Sequence, residues 1–586
     1  MIKKIQEKIQ YFFIEKSSDL IFYTLFAILT ILPFITRLKL FDRAKTSIDY
    51  LAFPLSRGDF DVFHYYKAVW FILLSFLITV FLFLKKKKWN TPYLFFPVIL
   101  LFFIILSSIL SEYKAFTIMG GAESFQGVFV WIGYMIVCVA AMQISKLKYY
   151  KLIFYGILFS GFVMSFIGLL EYNKINIWKI IEPLVVHSNL NFNKTPNGEL
   201  ASLFYNANYY SGFLILVLFI NIITYISFKK IIWKIILWAN FCLIFLNLVG
   251  SEGRATLYSS FVLIAILVLF VRNKDFKKLR DIGVLTLSAI LVFVVMNFSE
   301  GGGKVASYSK IATDHSNLDE IEVLDSLLII KQHTGKPLYV TVKDNKHLSF
   351  FEDRKLQKKL TFHRKSDTLS FKNDGYEHYH FILNKKLKTG IILHYNKRFK
   401  YPLIFKDNTI KTVGRNNEIA PIITSKNIKF LNKKNRILNG RGMQWSLSIP
   451  VLLESIYIGK GADAFPLAFP NNDYLSLLKT FGTNKFYIAS AHSFYIQIGV
   501  QFGLIALLVF LLFMIIYIYS SIKLLWALPF NNTIQLLALG CFLAVVGFLI
   551  NGIVAQVMIS NAPPFFILLG IGIALNCKIK NEISSI

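Results

Sequence analysis

Three side chains stand where a membrane-embedded chain has little reason to place them. Arg254 falls in a very short turn, Ser251-Glu252-Gly253-Arg254, between two apolar runs. Arg441 opens a helical pattern, and His492 immediately precedes another apolar run. A guanidinium keeps its charge and matches diphosphate oxygens two at a time, which suits a leaving group that gains negative charge. An imidazole titrates near neutrality and can take the proton of an attacking hydroxyl. If the three segments meet, they can hold a phosphoanhydride and activate an acceptor. The plainer alternatives are an Arg254 that snorkels to headgroup phosphates and a His492 that caps a helix or packs at an interface.

Other chemistries find less support. There is no Asp-x-Asp metal motif on the outer side, no phosphate-binding glycine loop and no serine nucleophile elbow. His378 and His380 would share a strand face but lack further ligands, so no metal is expected. Cys138, Cys242, Cys541 and Cys577 have no paired spacing and read as small apolar residues. No cofactor and no nucleic-acid partner are expected. Outside a cell, where nucleotides are scarce, a group donor must arrive already activated on a lipid.

The elements that would position these residues are membrane spans. Of 586 residues, 55% are hydrophobic and 17% charged, with a net charge of +31, a composition that excludes disorder and a secreted disulfide scaffold. Apolar runs near the ~20 residues a spanning helix needs cover 20–36, 68–84, 93–110, 128–144, 152–170, 212–228, 235–249, 255–271 and 282–298, and three more begin near 495, 534 and 563. About twelve spans are expected, the last of them short. Lys3, Lys4 and Lys8 precede the first run without a cleavage pattern, so the start of the chain reads as a retained anchor.

Lys85 to Lys88, Lys146 with Lys148 and Lys151, Lys229 with Lys230 and Lys234, and the cluster from Arg272 to Arg280 occupy alternate loops. The positive-inside rule puts them in the cytoplasm, with both termini. The interval from 298 to about 492 then faces outward from the cytoplasmic membrane. Interiors of the runs hold almost no ionisable residues, which disfavours a proton-coupled pump.

Residues 301–440 carry 27 Lys and Arg against 13 Asp and Glu. Alternation at Tyr339 to Val342 and Tyr376 to Phe381, with turn residues Asp344, Asn345, Asp374 and Gly375, predicts a β-rich domain. Its basic surface fits either anionic headgroups or an acidic glycan. From Asn439, read as a helix cap, Trp445, Ile449, Leu452 and Leu453 recur at helical spacing up to a turn at Gly459 and Gly461, predicting a short amphipathic helix along the outer face. The organisation expected is helices 1–9 over 1–299, a β-rich external domain over 300–440, a perimembrane helical segment over 441–494, and helices 10–12 with a tail over 495–586.

Several short motifs resemble the O-antigen ligase and O-antigen polymerase superfamily of membrane glycan transferases. Asn206-Ala207-Asn208-Tyr209-Tyr210 resembles its Asn-Pro-Asn-Tyr, and Ser251 to Ala255 resembles its Ser-x-Ser-Arg-Gly with Gly253 and Ala255 as departures. The longest stretch runs from Gly440-Arg441-Gly442-Met443-Gln444-Trp445 through Phe469 to Tyr474 and ends with Ala491-His492-Ser493-Phe494-Tyr495 and Phe502-Gly503-Leu504. Order and spacing resemble Gram-positive members, which carry an external β-rich insertion. Glu123 to Gly127 resembles a motif with Arg where Ser124 stands here, a possible lost donor contact.

The resemblance implies a mainly α, GT-C-like polytopic fold and a metal-independent glycosyltransferase that uses an undecaprenyl-diphosphate-linked oligosaccharide at the outer leaflet. Arg254 and Arg441 would hold the diphosphate, His492 would activate the acceptor, and Asn206, Asn208, Gln126, Trp445, Asp473 and Tyr495 would contact substrate. Inversion is expected, since no carboxylate pair is evident for a covalent relay. A polymerase would accept another lipid-linked repeat; a ligase would accept an envelope polymer, lipid or protein. The competing classes are a protein O-oligosaccharyltransferase of the same family, a flippase for lipid-linked glycan, and a receptor that binds an acidic polymer without chemistry.

Overall fold

The computed structural model describes residues 2–40, 60–85, 91–121, 124–175, 199–204, 206–272, 275–299, 318–324, 327–332, 336–343, 347–383, 390–395, 399–406, 409–415 and 417–584. The expected turn residues Asp344 and Asn345, and Glu123, lie outside them. Apolar runs become helices because only a helix satisfies every backbone polar group within hydrocarbon. In chain order the first nine of 15 residues or more are α1 (Ile2–Thr30), α2 (Tyr65–Leu84), α3 (Phe95–Leu110), α4 (Val128–Met142), α5 (Leu147–Tyr172), α6 (Ala207–Ser227), α7 (Ile231–Gly250), α8 (Arg254–Val271) and α9 (Phe276–Ser299). After the β domain come α10 (Ile437–Glu454), α11 (Tyr474–Phe481), α12 (Phe494–Phe502), α13 (Leu504–Ala527), α14 (Thr533–Asn551) and α15 (Ala562–Ser584).

Eleven helices among the described residues are long and apolar enough to span a membrane, and the chain is a multi-pass membrane protein. Eleven of the twelve expected spans are among them, and the twelfth, α4, is an apolar helix of 15 residues, shorter than the ~20 of a typical span. The last helix, expected to be short, runs 23 residues. The central helix is α6, with 94% of its most apolar stretch buried, whereas α9 at 22% lies on the flank. Around α6 pack α7, α14 and α15, and α15 lies against α4.

The run expected to start near Tyr495 does not begin a span there. It is cut at Gly503, which takes a φ of 101°, a conformation open to glycine. The turn at 455–461 explains the break. Lys460 and Gly461 donate their N–H groups to the carbonyls of Val500 and Gln501 at 2.8 Å each, while Leu504 donates to Ser455 at 3.0 Å. The junction's backbone groups are thus satisfied by another segment, and α13 starts afresh. Hydropathy registers one run; the hydrogen bonds make two helices.

A second correction concerns the interior. The run read from residue 68 begins one turn earlier, at Tyr65, where the Asp61 carboxylate accepts the N–H groups of His64 and Tyr65 at 2.9 and 2.8 Å in the manner of a helix cap. That start carries Lys67 into the bundle with 1% exposure.

The β domain is two antiparallel meanders. One runs β3 (Leu318–Leu324), β4 (Leu327–Gln332), β5 (Leu338–Lys343), β6 (His347–Phe351), after a two-stranded pair β1 (Lys39–Leu40) and β2 (Phe60–Asp61) near the chain start. The other runs in sequence order from β7 (Phe362–Lys365) through β8 (Thr368–Phe371), β9 (Tyr379–Leu383), β10 (Gly390–Tyr395), β11 (Phe399–Lys406) and β12 (Thr409–Val413) to β13 (Ile419–Pro421). Alternate residues of β8 and β12 are buried, the period of two that puts one face on a core. Ile321, Leu328, Val340 and Phe350 of the first sheet share that core with Phe381, Leu393 and Leu403 of the second. Leu475 and Leu478 of α11 enter the same core, so the segment that follows α10 and the β domain pack as one unit.

Candidate active site

The backbone around Arg254 is set by close packing. Gly253 precedes α8, and a Cβ there would lie 2.6 Å from Ser211 Oγ of α6. A side chain at Gly253 would press on Ser211, so glycine lets the start of α8 lie this close to α6. One turn on, Thr256 Oγ1 donates to Asn551 Oδ1 of α14 at 2.8 Å and stands 3.1 Å from Ser211 Oγ. Arg254 is therefore placed by three helices.

Arg441 follows three residues in the left-handed region: Leu438, Asn439 and Gly440, at φ 53°, 61° and 91°. Asn439 is thus not the expected helix cap. Left-handed backbone costs about 1–2 kcal/mol at each non-glycine position, and the surrounding bonds hold it. Arg436 donates from Nε and Nη2 to the carbonyl of Lys479 at 3.2 and 3.0 Å, and the Met443 N–H reaches the Asn435 carbonyl at 3.0 Å. Past this kink Arg441 Nη1 donates to the Leu438 carbonyl at 2.7 Å. Its Nε is buried with no partner among the described residues.

His492 also sits in the left-handed region, at φ 45°. Both flanks are tied. Trp445 Nε1 donates to the Ala491 carbonyl at 3.1 Å, the Ala491 N–H donates to Gln497 Oε1 at 3.1 Å, and the Phe494 N–H donates to the Gly552 carbonyl at 2.8 Å. Strained backbone held by surrounding structure clusters at functional sites. His492 does not directly precede a span, as expected from sequence; the nine-residue α12 intervenes.

Arg441 is the electrostatic neighbour of both Arg254 and His492. Burial, and then the nearby Arg254 charge, brings the Arg441 guanidinium down to about 10, against an opposing pull from Tyr209. It stays protonated at neutral pH. Burial, and then the Arg441 charge, pushes the His492 imidazole down to about 3, so it is neutral and can accept a proton. Arg441 of α10 is thus the common neighbour in a cluster that draws on α6, α8 and the residue two before α12. Tyr209 belongs to it although sequence reasoning gave it no role; its place in the Asn206 to Tyr210 motif was the available signal.

The six expected substrate contacts are placed differently. Asn206 caps α6, its Oδ1 accepting the N–H and Nδ2 of Asn208 at 2.8 and 3.1 Å. The Gln126 amide is spent within the protein: Nε2 donates to the Val557 carbonyl at 2.8 Å, and Oε1 accepts Tyr134 OH at 2.9 Å. Trp445 braces the His492 loop as described. Tyr495 donates its hydroxyl to the Leu549 carbonyl at 2.7 Å. Asp473 caps α11, accepting the N–H groups of Ser476 and Ser425 at 3.0 and 3.1 Å, on the side that meets the β domain. Each of these side chains is thus engaged by hydrogen bonds within the protein.

Sequence reasoning passed over Asp463. Its buried Oδ2 accepts the N–H groups of Gly121 and Gln126 at 2.7 and 3.2 Å and the Ser124 hydroxyl, so Ser124, the expected lost contact, fastens this loop. Its position after Lys460-Gly461-Ala462 in a tight turn was the only signal. Asp463→Ala leaves buried donors without an acceptor and is expected to destabilise the fold by on the order of 2–4 kcal/mol, read as a lowered thermal midpoint in detergent.

Comparison of the chain with protein-family models, with curated proteins and with solved structures returns no match.

Proposed function

We propose that this protein transfers an oligosaccharide from an undecaprenyl-diphosphate carrier to a glycan hydroxyl at the outer face of the cytoplasmic membrane. The observation that supports the reading is that Arg441 is the electrostatic neighbour of both Arg254 and a neutral His492, from three distant stretches of chain. The acceptor oxygen attacks the anomeric carbon as its proton passes to His492. The bond from that carbon to the diphosphate oxygen breaks, and both electrons leave with the polyprenyl diphosphate. Arg254 and Arg441 take up the negative charge that grows on the departing oxygen. A single displacement of this kind inverts the anomeric centre.

An imidazole held near 3 is a weak base, and general bases work best close to the ambient pH. The donor itself relieves this. A diphosphate seated beside Arg441 offsets the positive charge that depresses His492, so the base strengthens when the donor is in place.

The test is reconstitution of the purified full chain with lipid-linked oligosaccharide and separation of the products by size. A ladder of repeats identifies a polymerase, and one-step transfer to an added polymer, lipid or protein identifies a ligase of that class. Unchanged glycan that has only moved between leaflets identifies a flippase and rejects the proposal.

A further inference from the structure

A further buried cation has no part in the reaction as drawn. Lys67, in the first turn of α2, is 1% exposed. Its Nζ has one acceptor, the Leu203 carbonyl, at a long 3.5 Å, and lies 5.9 Å from the centroid of the Phe204 ring. Asp61 acts on it electrostatically but is committed elsewhere, with Oδ2 capping α2 and Oδ1 3.6 Å from His64 Nδ1. Among the described residues no carboxylate lies within ion-pairing distance of Lys67. An ammonium buried without a counter-charge is costly, and an ionisable residue within a membrane helix marks a site more often than it serves packing.

The position of Lys67 names the ligand. His64 and Lys67 are three apart and share a face of α2. The His64 ring meets the Tyr209 ring with centroids 6.5 Å apart, and Tyr209 is the electrostatic neighbour of Arg441. Leu203 and Phe204 lead into the Asn206 cap of α6. Pairwise neighbours therefore link His492 to Arg441, Arg441 to Tyr209 and Tyr209 to His64, which shares a face with Lys67 at the start of an apolar helix. A polyprenyl diphosphate has the same polarity, with its sugar at one end, two phosphates next and a hydrocarbon chain beyond.

We propose that Lys67 binds the lipid-side phosphate of the polyprenyl diphosphate, while Arg254 and Arg441 hold the sugar-side phosphate beside His492. This rests on the glycan-transfer reading above. An ammonium serves as a point charge with rotatable donors, adequate for a phosphate whose charge changes little during reaction. The leaving oxygen is on the other phosphate. Lys67 therefore contributes to donor binding in ground and transition states alike, and its loss raises KM with little change in kcat.

The test measures binding of undecaprenyl diphosphate to the full chain in nanodiscs, with undecaprenyl monophosphate and phosphatidylglycerol as comparison probes. Lys67→Met is expected to weaken undecaprenyl diphosphate binding roughly tenfold or more, and Lys67→Arg to keep it within about threefold. Equal affinity in wild type and Lys67→Met overturns the assignment and leaves the transfer reading standing. Phosphatidylglycerol binding as tightly as the diphosphate also overturns it, because the site would then be a general headgroup site. If the wild type binds neither polyprenyl phosphate, the transfer reading falls with it. Should Lys67→Met not accumulate, wild-type protein is labelled with a photoreactive undecaprenyl diphosphate carrying its probe beside the phosphates. Label in residues 61–67 or 203–209 is expected, and label absent from both overturns the proposal.

Discussion

Arg441→Ala is expected to lower kcat by roughly 10²–10³, the scale seen when one preorganised charge is removed from a developing anion. The loss belongs in kcat because this guanidinium would face the oxygen that departs on the side of the anomeric carbon opposite the attacking one, and its unpartnered Nε is already buried. Arg441→Lys is expected to recover only part of the rate, since an ammonium cannot present two parallel donors to one phosphate. Arg254→Ala is expected to act in the same direction. The double variant should lose less than the product of the single losses, because both guanidiniums neighbour one another and would share one ligand. The measurement is steady-state product formation from the lipid-linked donor, with circular dichroism to confirm folded protein. Full rate in both single variants would remove the site while leaving the membrane architecture untouched.

The second large effect is on His492. Replacing it with alanine is expected to cost about 10²–10⁴ in kcat, the usual worth of a positioned general base. Its signature is in the pH profile. The free-protein imidazole lies near 3, lowered first by burial and then by Arg441. A base must be unprotonated to act, so its activity falls as pH drops through its own pKa. In the free protein kcat/KM should therefore show no acidic limb near the ordinary histidine value of about 6.5, and should fall only toward pH 3–4, within about a unit of the depressed value. With donor bound the Arg441 charge is offset, so the limb in kcat should lie at higher pH than the limb in kcat/KM. Arg441→Ala should raise the kcat/KM limb, burial alone then holding it down. A wild-type kcat/KM limb at ordinary histidine pH would contradict the burial that the tied loop at 491–494 imposes.

Much of the architecture was legible in the residues themselves. Hydropathy locates membrane helices because each hydrogen-bonds within itself, and alternation locates strands because side chains of a strand face opposite ways. Thus eleven of the twelve expected spans and a β domain were readable from pattern. Misreadings fell where a second segment decided the outcome. One apolar run became α12 and α13 because the 455–461 turn takes the carbonyls of Val500 and Gln501, and the helix that holds Lys67 starts early because Asp61 caps it.

For the site, residue type was readable and environment was not. Arg254, Arg441 and His492 could be named from chemistry and motif, but their approach to one another depends on the Gly253 contact with Ser211 and on the left-handed turns before Arg441 and at His492. Gln126 and Asp473 belong to the same motifs, and only packing shows that their polar atoms are spent on the protein's own frame. Composition and periodicity are properties of neighbouring residues, so the sequence by itself determined the helices, the strands and the inventory of charges. Which charges face one another, and which are left without a partner, depends on contacts between residues hundreds of positions apart, and that the tertiary structure alone decided.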